Sequence, residues 1–315
     1  MRVAQALEVL RCNTGTLSDI TNKAVNQIFT NQLLLQFLQF QLDQYANITK
    51  AIEDVYSFPL NTQTPIVEAP PRALRSEGYK FLLYVIQGRF FPMDMASLSN
   101  SYVYFPYPSV SGISTWVLPW GTKDKTYFNI FPMNSTNPNS TTLSSGIIAT
   151  DTTINVVSTN GFLSNNGRIT IGSEKIQYQS KTATSFVGCL RGAEGTTAEE
   201  HLTASAVTEN NVWLFYCRLH RDITITTEDF VPTTILETEI EVTDEHVNGI
   251  LKAVTYDMML KLDNEKAQAY KVNADELYLQ YRNDIRKGRA RVRQGTNIRD
   301  PFLYEQGVPS YTNLL

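Results

Sequence analysis

Between Ser18 and about Tyr56, apolar residues recur at steps of three and four: Val25, Ile28 and Phe29, then Leu35, Leu38, Leu42, Tyr45, Ile48, Ile52 and Val55. Such a stripe occupies one face of a helix. It predicts one long helix, whole or broken, capped by Ser18 or Asp19 and stopped by Pro59 and Pro65. Gln32, Gln36, Gln39 and Gln44 give it a neutral polar face. A helix of this length must set its stripe against other helices, in its own chain or in a neighbour. A second stripe of the same period runs through Val247, Ile250, Leu251, Val254, Met258 and Leu262. Thr243 is its candidate cap, and Asp244 and Glu245 fall in the first turn, where the helix dipole favours negative charge. Ala274, Leu277, Tyr278, Tyr281 and Ile285 predict a further helix over about Asn273 to Lys287.

The middle of the chain has a different period. "YKFLLYVIQG" reads as a buried strand from its Tyr, Phe, Val and Ile content. Residues Ser99 to Phe131 read as edge strands and loops, because aromatic and β-branched residues alternate with prolines. Met133 to Gly146 is nearly devoid of apolar residues and reads as a linker. From Ile147 to Val207 short strand patterns return at regular spacing, separated by Asn160-Gly161, Asn166-Gly167 and Gly172-Ser173. Asn-Gly supplies the positive φ that tight hairpin turns need. "NVWLFYCRLHRDITIT" then reads as a strand returning to the first β layer, which makes the preceding module an insertion.

Composition narrows the function classes. The 315 residues are only 18 % charged and carry a net charge of −4, so attraction of the whole protein to nucleic acid is not expected. Neutral polar and aromatic surface suits protein interfaces. Three cysteines without CxxC spacing fit a reducing compartment, and no stretch is apolar and long enough to span a bilayer, so a soluble chain made in a cytoplasm is expected, without a membrane partner.

Candidate chemistry is sparse. Arg191, Gly192, Glu194, Gly195 and Thr196 form a glycine-rich turn, but a phosphate-cradling loop also needs a lysine followed by Ser or Thr at the start of a helix. The turn is therefore read as structural. His201, His220 and His246 lack the i, i+4 spacing of a helical zinc site. Glu174, Glu194, Glu199 and Glu200 offer the carboxylate pair a glycosidase would need, 5–10 Å apart across a cleft, by composition alone. No catalytic, metal or cofactor-binding residue is assigned. The charge feature above background is Arg282, Arg286, Lys287, Arg289, Arg291, Arg293 and Arg299, followed by Phe302, Leu303, Tyr304 and Tyr311. Arginine forks suit carboxylates and phosphates; the cluster reads either as a solvated helix end or as a docking patch for an acidic partner or a DNA backbone.

One stretch resembles a known module. Gly161-Phe162, then Gly167, Ile169, Ile171 and Gly172, then Glu174, Ile176 and Tyr178, then Arg191, Gly192, Glu194, Gly195 and Thr196 with His201 before the last strand, are similar to a small β-barrel module of tailed-bacteriophage structural proteins. The order of elements around it resembles the head-to-tail adaptor, or connector, proteins of these phages. That resemblance implies an α+β fold: a helical bundle host domain (1–146 and 208–288) with a central β region, an inserted small antiparallel β-barrel (147–207) and an extended C-terminal docking tail (289–315). It implies a non-enzymatic virion protein of the neck, assembled in the host cytoplasm, which joins portal to tail as a homo-oligomeric ring, a dodecamer. Its partners would be the portal protein, tail or nozzle proteins and the DNA passing through the lumen. The portal-docking residues would be Arg289, Arg291, Arg293, Arg299, Phe302, Leu303, Tyr304 and Tyr311. The rival expectation is a tail-side virion protein whose β module binds a fibre or a host-surface glycan.

Overall fold

The computed structural model describes residues 1–14, 30–61, 66–74, 78–86, 88–95, 111–112, 116–121, 125–131, 133–134, 136–225, 231–261 and 273–295. The chain divides into two compact units, one made of Met1–Glu53 with Cys217–Arg299 and the other containing Asp54–Tyr216.

The first unit is helical. Helix α1 spans Val3–Thr14, α2 Asn31–Thr49, α3 Thr233–Leu236, α4 Asp244–Lys261 and α5 Ala274–Gly295. Thr30 caps α2: its backbone is extended and its side-chain oxygen accepts from Leu33 N at 3.2 Å. Leu34, Leu35, Leu38, Leu42 and Tyr45 form the buried stripe, and it packs on Val247, Ile250, Val254 and Met258 of α4 and on Tyr278 of α5. Leu7 and Leu10 of α1 complete the core.

The long helix predicted to reach Tyr56 ends at Thr49. Lys50 adopts a left-handed conformation (φ 53°), and its N–H closes the last turn on Ala46 O. Residues Glu53–Phe58 are instead strand β1. Ile48, Ile52 and Val55 keep helical spacing across this break, which is why the stripe misleads. The predicted positions Val25, Ile28 and Phe29 lie outside the described residues. The expected neutral polar face is partly internal too. Gln39 is buried and its Oε1 accepts from Ile223 N at 2.9 Å.

The second unit is built of strands. Its largest sheet has the order β1–β16–β3–β4–β6–β7–β2, with β2 Ile66–Glu68, β3 Tyr79–Ile86, β4 Arg89–Met95, β6 Trp116–Gly121, β7 Thr126–Phe131 and β16 Val212–Cys217. Strand β16 lies between β1 and β3, so the returning strand does enter the first β layer. The β4–β6 pair is parallel, whereas β16–β3, β3–β4, β6–β7 and β7–β2 are antiparallel. A two-stranded parallel sheet joins β5 (Ser111–Gly112) to β8 (Met133–Asn134).

The module holds two further sheets. One is β12–β11–β15–β9, from Glu174–Gln177, Arg168–Ile171, Ala206–Glu209 and Ser140–Thr142. The other is β10–β14–β13, from Thr153–Asn155, Ser185–Val187 and Ser180–Lys181. They share a core of Leu143, Ile154, Ile169, Ile171, Ile176, Tyr178, Phe186 and Val207. Strand β9 falls in the stretch that composition assigns to a linker.

The expected fold class is therefore corrected. The protein is a mixed, mainly β fold with four small, largely antiparallel sheets and five α-helices among the described residues, not a helical bundle host. Among the described residues no sheet closes into a barrel. The module strands are two to four residues long, and its ladders continue only as isolated bridges such as Gln177–Leu190 and Leu143–Val156. Strands this short cannot carry a continuous ladder round a closed cylinder, which needs staggered pairing along every strand.

Candidate functional site

The glycine-rich turn is the most polar interior of the module. Gly192 (φ 61°), Glu194 (φ 56°) and Gly195 (φ 78°) all lie in the left-handed region. Only glycine tolerates this freely, so the turn's shape follows from its two glycines, while Glu194 adopts a conformation that is uncommon for a residue with a side chain. A Cβ at Gly192 would also press to 2.9 Å on Thr196 O. Thr196 locks the turn through its hydroxyl, which donates to Ala193 O at 2.8 Å and accepts from Lys175 N at 3.0 Å.

Two carboxylates, Glu194 of the turn and Glu174 of β12, are held on different sides of it. The Glu174 side chain, at the start of β12, is 0 % exposed. Oε1 accepts from Arg191 Nε (2.7 Å) and Gly192 N (2.9 Å). Oε2 accepts from Arg191 Nη2 (2.8 Å), His201 Nε2 (2.8 Å) and Glu199 N (3.3 Å). Burial pushes this carboxyl up, but Arg191, the Gly192 N–H, His201 and the Glu199 N–H together outweigh it and hold it at about 2. The ionised carboxylate can only accept, so His201 carries its hydrogen on Nε2.

Glu194 points the other way, and its side chain is 4 % exposed. It accepts from Ser57 N and Ser57 Oγ, each at 2.6 Å, from Lys175 Nζ at 3.0 Å and from Arg168 Nη1. Ser57 belongs to β1, so this carboxylate fastens the module to the edge strand of the large sheet. Lys175 Nζ also stands 3.2 Å from the Tyr56 ring centroid, and the Arg168 guanidinium 5.2 Å from that of Trp213. Burial lowers the Lys175 ammonium against the opposing pull of Glu194. Asn210 continues the network from Ser57 Oγ (2.9 Å) to Thr170 Oγ1 (2.7 Å).

A third carboxylate, Glu209, ends β15 and lies in the wall of a cavity of about 640 Å³ between the β3–β4 hairpin and the module loops. Neither Glu174 nor Glu194 lines that cavity. Sequence reasoning passed over Glu209. The pattern of β15 marks it as one of a strand's alternating residues, and only the pairing of Ile169 with both Ile176 and Glu209 shows that it faces inward.

The remaining candidates occupy structural positions. His220 is buried; its Nδ1 donates to Arg221 O (2.8 Å) and its Nε2 accepts from Glu241 N (3.0 Å), which fixes the neutral tautomer. Burial lowers its pKa. His246 Nδ1 meets Tyr45 OH at 2.9 Å and stacks on Tyr281 with centroids 3.9 Å apart. Burial pushes the Cys189 thiol up to about 11. Among the described residues no three His, Cys, Asp or Glu side chains are grouped to hold a metal, and no helix is long and apolar enough to cross a membrane.

Arg289, Arg291 and Arg293 lie on α5, which continues to Gly295, so this part of the expected extended tail is helical. Arg299, Phe302, Leu303, Tyr304 and Tyr311 lie outside the described residues. A stacked aromatic pair with one exposed ring lies on the large sheet. Trp120 stacks on Tyr127, centroids 5.1 Å apart, on β6 and β7 of the large sheet. No protein-family model matches this sequence, and no curated protein matches it.

Proposed function

We propose that this chain is a structural virion protein, a ring-forming head-to-tail adaptor that joins the portal to the tail and docks on the portal through the segment from Arg289 to Leu315. The observation that carries the reading is the use made of Glu174 and Glu194. In the stretch that resembles the phage module, both carboxylates are committed to arginine, lysine, histidine, serine and backbone partners that hold the turn and fasten it to β1. A catalytic pair would instead face a common cleft. A part whose task is to keep position under load needs such internal fastening and extensive neutral interface, not reactive groups. The arginines that end α5 fit an acidic partner surface.

The test is truncation after Asp300 combined with reconstruction of the assembled particle. The truncated chain is expected to keep its fold and lose association with portal rings. Undiminished binding would refute the docking assignment. Density at the tail periphery instead of between portal and tail would replace the adaptor by a tail-side binding protein.

A further inference from the structure

The cavity beside Glu209 has a buried carboxylate in its wall. Its volume of about 640 Å³ is that of a small-ligand site. Glu209 is 3 % exposed. Its Oε1 accepts from Leu163 N (3.0 Å) and its Oε2 from Asn139 Nδ2 (2.6 Å). Both partners are neutral, and the Lys181 charge acts on it through space without an ion pair among the described contacts. No lysine or arginine lines the cavity. The nearby Lys181 ammonium is directed to Thr159 O and Phe162 O, each at 2.7 Å.

Two amides of the wall, Asn139 and Asn211, are committed to protein partners. Asn139 Nδ2 gives its hydrogens to Gly161 O (2.8 Å) and to Glu209. Asn211 is engaged at both ends by Leu60, donating to its O and accepting from its N. Glu209, by contrast, accepts one bond per oxygen and has room for more. At Glu209 the wall therefore offers acceptors, and a ligand group seated against this carboxylate must bring donors, while Thr136, Ser164 and Asn165 line the rest of the cavity with neutral polar groups. Burial pushes the Glu209 carboxyl up from its ordinary value, and a neutral hydroxyl would leave this desolvated group without a counter-ion. A cation would give charge-assisted bonds of about twice the strength. Phe90, packed edge-on against Trp213 with centroids 5.1 Å apart, adds an aromatic wall for an alkyl chain or a cation.

We propose that this cavity binds a primary ammonium group, carried by a small aliphatic amine or by a lysine side chain of another protein, with Glu209 as its counter-ion. The site is independent of the adaptor reading.

Titration calorimetry of the full chain with cadaverine, pentane-1,5-diol and Nα-acetyl-lysine methylamide tests it. Cadaverine and the diol have the same chain length and differ in charge. At least one amine is expected to bind about tenfold or more tightly than the diol. Glu209→Gln is expected to remove that advantage. Tighter binding of cadaverine identifies a free amine as the ligand; tighter binding of the lysine derivative identifies a protein side chain. Equal affinity for amine and diol, absence of binding by both amines, or an undiminished amine preference in a folded Glu209→Gln protein would overturn the proposal. If Glu209→Gln does not fold, the comparison of diamine and diol on the unaltered protein decides alone.

Discussion

The two units bury polar groups in opposite ways. In the strand unit the two polar nodes around the module turn are ionic, Glu174 with Arg191 and Glu194 with Arg168 and Lys175, beside neutral nodes at Asn210 and Asn211. In the helical unit most are neutral. Tyr278 OH donates to Gln41 Oε1 at 2.6 Å, Tyr45 OH meets His246, and Gln39 takes the N–H of Ile223. The difference follows from length. Helix α2 brings ten buried residues to one core and needs polar contacts only to fix its rotation and register. Module strands of two to four residues contribute few apolar side chains each, so their loops are held in place by charge. A buried ion pair adds little net stability over a well-packed apolar pair, yet removing one partner is costly. The module should thus be brittle to single charge deletions and to acid, and the helical unit tolerant of single hydroxyl deletions.

The largest expected effect is that of Glu194→Ala. It leaves Arg168 and Lys175 without their counter-ion and releases Ser57, at a cost of about 3–5 kcal/mol. Hydrogen exchange at the amides of β1, β11 and β12 should rise steeply while α2 and α4 stay protected. Equal loss in both units would break the comparison.

Acid provides the next test. Glu174 is held at about 2 in the folded chain, against an ordinary value near 4.5. A depressed carboxyl contributes stability that is complete above its unfolded value and disappears as pH falls through the folded one. The module should lose about 3 kcal/mol between about pH 4.5 and 2. Arg191→Met should flatten that dependence in a pH series of module hydrogen exchange. His220 gives the helical unit its own, earlier dependence. Its pKa is lowered, so the neutral ring is favoured by folding, and its contribution declines as pH drops below the ordinary histidine value of about 6.5.

The smallest effect should be that of Tyr45→Phe. It removes the hydroxyl facing His246 Nδ1 but keeps the ring contacts to Tyr278 and Tyr281. A loss of about 1 kcal/mol in urea unfolding of the helical unit is expected. A loss as large as that of Glu194→Ala would show that the neutral network is no more tolerant than the ionic one.

Local pattern made the core stripes of α2 and α4, the strand β3 and the Gly172-Ser173 turn between β11 and β12 legible, because each is a short-range property of the chain. Asn160-Gly161 and Asn166-Gly167, which read as hairpin turns, instead lie between β10 and β11, strands of different sheets. The end of α2 was not legible, since a single left-handed residue at Lys50 leaves the spacing of Ile48, Ile52 and Val55 intact. The dominance of sheet over helix was hidden for a related reason. The prolines at 92 and 119 argue against central strands, yet β4 and β6 are internal to the seven-stranded order. Glu194 was visible as a turn residue, but its partner Ser57 lies 137 positions earlier, and no periodicity links them. Glu209 and Asn139 were invisible together for the same reason, at a separation of 70.

Where the chain leaves the helical unit and where it returns, Ile52 O accepts from Arg218 N at 3.0 Å. Residues 53–217 are therefore a loop of chain whose two ends are pinned together at Ile52 and Arg218, with Cys217 Sγ donating to Lys50 O beside them. The entropy of closing a loop grows only slowly with its length, so what hangs from such pinned ends can lengthen or shorten at small cost to the frame that holds it. The ends of the cassette stay fixed while the length of chain between them is free to change.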